Sequence, residues 1–330
     1  IRRSYFEHPN YVPLLASAYK LWDELSELRG ESLFHRAGQV YFGPANGLVI
    51  PGVMASAREH GLDVRQLTEH EAATVCPGYS APGEATVLFE RDAGYLLVED
   101  CVRAQIEEAI RLGARHQHGE EILGWSATDA GVVVETEKGR YGADRLIVAA
   151  GCWANDLLSD VGVSLRILRK HLHWYATDSA DYLESNGCPC FFFEVNGGFF
   201  YGFPDRDGLG IKVAEHSGGR EISDPLSDPR ELDSSDAERV ETFLGQCLPG
   251  VSRRRTRHEV CFYTMSPDEH FIVDRHPAHE SVVFAAGLSG HGFKFTAALG
   301  KALAELALDG AASDDFDLGF LRLDRPGLAP

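Results

Sequence analysis

Apolar residues recur at helical spacing over residues 12–28 (VPLLASAYKLWDELSEL) and again over 51–61, a run that ends near Gly61. Between them, residues 38–43 (GQVYFG) read as a strand. A short strand around Val64 leads into LTEHEAATVCPG, where Thr68 with a glutamate three residues on predicts a capped helix start. Residues 98–112 form an amphipathic pattern closed by Gly113 as the residue after the cap. Two or three strands follow between 114 and 142, the clearest at 131–136. Two later stretches share one grammar. DRLIVAAGCWANDLLSDVG (144–162) runs a buried-type strand into Gly151 and a helix; strand 282–286 runs into Gly287, Gly290 and Gly292, with a helix over about 294–308. Strand, glycine turn and helix is the building block of an open parallel sheet, and such turns sit where these sheets bind ligands. Residues 166–265 alternate differently. LRKHLHWYAT, CFFFEV, GGFFYGFP and GLGIKVAEH are short and aromatic-rich, and predict an antiparallel sheet interrupted by one helix at about 235–248. The fold class expected is therefore α/β, in an α+β two-domain arrangement, with a mainly antiparallel β domain inserted into a nucleotide-type domain.

Composition narrows the partners. The chain has 330 residues, 44% hydrophobic, which suffices for a sizeable core. The formal charge of −19 argues against nucleic acid or an anionic membrane as partner, while leaving room for an anionic substrate in a local basic pocket. No apolar stretch approaches the roughly 18 residues of a membrane span. The start, IRRSYFEHPNYVPL, lacks the apolar run of a signal peptide. Seven cysteines, odd in number and scattered, suggest reduced thiols and a cytoplasmic location. Cys188-Pro189-Cys190 is too tight for a zinc knuckle, so no metal is expected.

Candidate chemistry gathers at the second glycine turn. Glycines remove side chains where something approaches the backbone, and a following helix directs its N-terminal N–H groups there. His291 and Lys294 are not needed to make a turn, and a cation in the first helical turn is opposed by the helix dipole. Cys261, in HEVCFYTMSPDEHFIVD, reads by itself as an ordinary strand cysteine. Strand alternation puts Lys212, Ala214 and His216 on one face. Tyr201, Tyr263, Arg2 and Arg3 are unremarkable taken singly.

Together these segments carry a resemblance. CFYTMSPDEHFIVD and AAGLSGHGFKF, with RSYFEHPNYVPL, DRLIVAAGCW, GFFYGFP and GIKVAEH in order, resemble the monomeric sarcosine oxidase and N-methyltryptophan oxidase family, flavoenzymes of the D-amino-acid-oxidase fold. The resemblance implies an FAD-binding Rossmann-like domain formed by 1–36, 95–165 and 270–330, and a substrate domain formed by 37–94 and 166–269. It implies FAD joined through its 8α-methyl group to Cys261, with Gly151, Trp153, Gly287, Gly290, His291, Gly292 and Lys294 lining the cofactor. Arg2 and Lys294 match the residues that bind the substrate carboxylate, a use that suits a guanidinium fork and an ammonium. Lys212 matches the lysine near flavin N5 that promotes reaction with oxygen; His216, Tyr201 and Tyr263 match residues that shape the pocket. The implied reaction is oxidation of a secondary amino acid to an imine, with O2 reduced to hydrogen peroxide. Beyond that small molecule and O2 no partner is expected, and the protein is expected to be a monomer or homodimer.

The family opens with a G-x-G-x-x-G βαβ unit, and nothing like it stands at the start here. Residue 1 falls about one such unit, 30 residues or more, into the family pattern. A chain lacking its natural N-terminus is the expectation, and a flavin-free binding module the alternative. An oxidase or dehydrogenase of primary D-amino acids is a second alternative, against which the Cys261 and Lys212 matches weigh. Phe192 and Phe200 are expected near the substrate.

Overall fold

A computed structural model of the protein describes residues 1–128, 131–313 and 316–328. The helical periodicity at the start becomes one long helix, Tyr11–Arg29, ended by Gly30 in the left-handed conformation. It buries Leu14, Leu15, Ala18 and Trp22 against Leu299, Ala302 and Leu303 of the helix Thr296–Leu308. Phe271, Val283 and Phe295 complete this core. The Thr68 capping box forms as expected: Thr68 accepts from the Glu71 N–H while the Glu71 carboxylate receives the Thr68 N–H at 2.8 Å.

Strands Leu146–Val148 and His279–Ala286 pair in parallel, and Ile272–His276 pairs antiparallel with the second. The two glycine turns thus leave the carboxyl ends of neighbouring parallel strands. The helix expected after the first turn is short, a 3-10 turn Gly151–Trp153 followed by Ala154–Leu157. After the second, the chain makes a 3-10 turn, Phe293–Phe295, before the α-helix starts at Thr296. Lys294 therefore precedes the α-helix, a correction to its expected place in the first helical turn, and the dipole argument does not apply to it.

A second, nine-stranded sheet combines Gln39–Gly43, Val64–Leu67 and Thr86–Glu90 with six strands from residues 166–265. All its pairings are antiparallel except Cys190–Val195 beside Gln39–Gly43. Its longest ladder joins Arg166–Thr177 to Val251–Met265 and sets Lys170 opposite Cys261. One face is closed by helix Ser234–Cys247, whose Phe243 stacks on Phe200 with ring centroids 4.4 Å apart. The other face carries Tyr201, Lys212 and Tyr263 towards the first layer. No helix among the described residues is long and apolar enough to cross a membrane.

Candidate active site

Between the two layers lies a cavity of about 360 Å³. Its walls include Arg2, Tyr201, Lys212, His216, Cys261, Gly290, His291 and Lys294, residues drawn from five separate stretches of the chain. A larger cavity of about 540 Å³ adjoins it, with Glu7, His216 and His291 common to both and Tyr263 on the wall of the larger. Gly151, Trp153, Gly287 and Gly292 line neither.

The cations on the first cavity differ in their partners. Arg2 donates to both carboxylate oxygens of Glu7, at 2.7 and 3.0 Å, and lies over the rings of Tyr5 and Phe6. Its Nε is buried without a hydrogen-bond partner. Burial opposes its charge, but the nearby Glu7 carboxylate outweighs that and raises its pKa. Lys294 donates to the His291 carbonyl at 2.6 Å and to the Tyr5 hydroxyl at 3.3 Å, leaving one of its three N–H donors for a ligand. Burial, then the Arg2 charge, bring its pKa down to about 7.

His291 Nε2 donates to the Glu269 carbonyl at 3.2 Å, so Nδ1 accepts from the Tyr5 hydroxyl at 2.6 Å. Burial and then Lys294 push its pKa well down, and it is neutral. Burial likewise drops His216 to about 3; its Nδ1 lies 3.5 Å from the Tyr263 hydroxyl. Burial raises the pKa of both the Tyr201 and the Tyr263 phenol.

Lys212 has no hydrogen bond or ion pair among the described residues. Its ammonium sits 4.9 Å from the Trp174 ring centroid and 5.4 Å from that of Phe203. Burial lowers its pKa, partly offset by the Cys261 sulfur. Five of the seven cysteines are buried; Cys261 is half-buried on the cavity wall. Burial raises its thiol pKa, and the charges of Lys212 and Lys170 act against that rise.

Glycine at 290 is demanded by packing as well as by approach. It has φ +78, and a Cβ there would lie 2.2 Å from the Tyr263 ring. Phe192 lines the cavity as expected, whereas Phe200 points to the opposite face of its strand, because alternation gives Phe199 and Tyr201 the cavity side. Three participants carried no sequence signal by themselves: Tyr5, which bridges Lys294 and His291; Glu7, which holds Arg2; and Lys170. That lysine is 2% exposed and donates to the carbonyls of Ser217 and Gly218, and its position opposite Cys261 follows only from strand register. Away from the cavities, Asp160, His276 and His279 bring metal-ligating atoms within 4.8 Å of one another, a group that no spacing motif announces.

A family model described as FAD dependent oxidoreductase matches residues 1–306. The chain belongs to that family. Within it, the chain is 36% identical to a monomeric sarcosine oxidase of Bacillus sp. (strain B-0618), covering 99% of this chain and 85% of that protein. It is 36% identical to an N-methyl-L-tryptophan oxidase of Salmonella dublin, over 98% of this chain and 86% of the relative. The fold matches NikD, an amino acid oxidase essential for nikkomycin biosynthesis, with a TM-score of 0.80 at 21% identity, covering 94% of this chain and 82% of that one. The protein is thus an FAD-dependent oxidoreductase with the D-amino-acid-oxidase fold. The cavity suits the reactive end of this family's cofactor: an unpaired cation, a thiol and bare backbone at Gly290 meet around a space of about 360 Å³.

Proposed function

We propose that the protein is an oxidase of secondary amino acids, of the sarcosine or N-methyl amino acid type, with FAD attached through sulfur to Cys261. The observation that carries the reading is the convergence of Arg2 and Lys294, two cations suited to a carboxylate, with Cys261 and Lys212 on one cavity wall. When bound, FAD supplies the acceptor for the two electrons removed from the carbon–nitrogen bond and passes them to O2, giving hydrogen peroxide.

The residues of this chain bind and orient. Arg2 and Lys294 grip the carboxylate by charge-assisted hydrogen bonds. Neutral His216 and Tyr201, with Tyr263 behind them, shape the space for an uncharged amine. Lys212, held between Trp174 and Phe203 with its donors free, presents a fixed positive charge where negative charge develops on oxygen. In this reading Gly151, Trp153, Gly287 and Gly292 contact the remainder of the cofactor beyond the cavity. Segments 1–36, 95–165 and 270–330 form the cofactor domain, and 37–94 with 166–269 the substrate domain.

Two measurements on the holoprotein test this. Secondary amino acids should release peroxide, and acid-precipitated polypeptide should stay yellow, the colour leaving with the supernatant in C261S. Colourless precipitate from the unaltered protein would refute the covalent link; absence of peroxide from every secondary amino acid would refute the oxidase reading.

A further inference from the structure

The 540 Å³ cavity opens beside the acid-gripping residues, and sarcosine, with no side chain on its α carbon, has nothing to place there. We propose that the favoured substrates are secondary α-amino acids with a long, positively charged side chain lying in this cavity. The proposal rests on the oxidase reading above.

Geometry gives the direction. A ligand held by Arg2 and Lys294 faces the Cys261 and Lys212 wall on one side. On the other it meets Glu7, His216 and His291, which the two cavities share. The larger cavity is therefore the open side of the grip. Phe6, Leu48, Leu168, Phe199 and Met265 give it apolar wall for methylene groups.

Charge gives the selection. Glu7, Glu221, Asp268 and Glu269 line the cavity against a single lining cation, Arg166. Glu7 is bound to Arg2, Asp268 to Arg325 at 2.8 Å, and Glu221 lies 3.6 Å from Arg166. Glu269 has no ion pair among the described residues. His216, His270 and His291 have lowered pKa values, burial being the first cause in each, and contribute no positive charge near neutrality. Glu269 also sits at φ +62 and Ser289 at φ +45, both on this wall. Non-glycine residues in the left-handed region cost energy and concentrate at functional sites. The Glu269 conformation lets its carbonyl accept from His291 Nε2, so this acidic residue is tied to the acid grip through His291. With the other three acids paired to arginines, Glu269 leaves this wall with an excess of negative charge, which raises the local concentration of a cation.

The test compares peroxide release by the holoenzyme with sarcosine and with the N-methyl derivatives of lysine, norleucine and glutamate. The lysine derivative should exceed its neutral counterpart norleucine by about 10-fold in kcat/KM at low salt. That ratio should shrink as ionic strength rises, because exposed charges are screened. It should fall by about 5-fold in E269Q, and E221Q should move it in the same direction. Equal rates for the lysine and norleucine derivatives at low salt, a ratio indifferent to salt and to both variants, or sarcosine as the best substrate would overturn the proposal. Peroxide from none of the four would instead overturn the oxidase reading on which it rests.

Discussion

Lys294 shows how a residue's surroundings set its duty. Its ammonium is held to about 7 by burial and then by the Arg2 charge, so near neutrality the side chain is divided between amine and ammonium. A bound carboxylate favours the charged form and raises that pKa. Binding of a carboxylate inhibitor to the holoenzyme should therefore take up a proton above pH 7, and affinity should fall by up to tenfold per pH unit as pH rises further. Calorimetry in buffers of different ionisation enthalpy reads this directly; K294M should lose the pH dependence and about 10- to 100-fold in affinity. Unchanged dependence in K294M would remove the lysine from the binding role. Lys294 was legible because a turn has no need of it. Tyr5 was not, since one tyrosine in an aromatic stretch gives no hint that it bridges residues 286 and more positions away.

Among elements, those with long periodic patterns or local caps could be read directly: the Tyr11–Arg29 helix, the Thr68 capping box and the alternating strands. Their local interactions are written in adjacent residues. The helix expected after Gly151 is only four residues long, because Ala154 and Leu158 pack beneath the strands of the first layer without a continuous helix. Register was beyond reach, and with it the pairing of Lys170 with Cys261. The turn Gly287–Gly292 is legible from its glycines, but room for an approaching ligand is only part of why they are needed. The Tyr263 ring occupies the space a Cβ at 290 would need, at a φ that disfavours side chains. G290A should thus cost about 1–3 kcal/mol, read as a lower denaturation midpoint at unchanged slope. An unaltered midpoint would show that Tyr263 moves aside freely.

Across the whole molecule, buried neutral histidines set the acid limit. His171 is lowered to about 4 and His216 to about 3, with His258, His270 and His291 also lowered, burial being the first cause in each. Unfolding frees these rings to take up protons. Their effect is absent above about pH 6.5, and stability is lost as pH falls from there towards 4. For His171, His216 and His291 the slope approaches about 1.4 kcal/mol per pH unit each. Melting should come several degrees lower at pH 5 than at pH 7.5; equal melting temperatures would contradict neutral burial. The salt bridge between Arg2 and Glu7 has a different outcome for the molecule. On the proposed roles, the resting protein already wears an imitation of its ligand, and an arriving acid trades places with a resident one. Capture then adds a negative charge to the interior, and the evicted glutamate is left facing the larger cavity, where its freed charge deepens the attraction for a cationic tail.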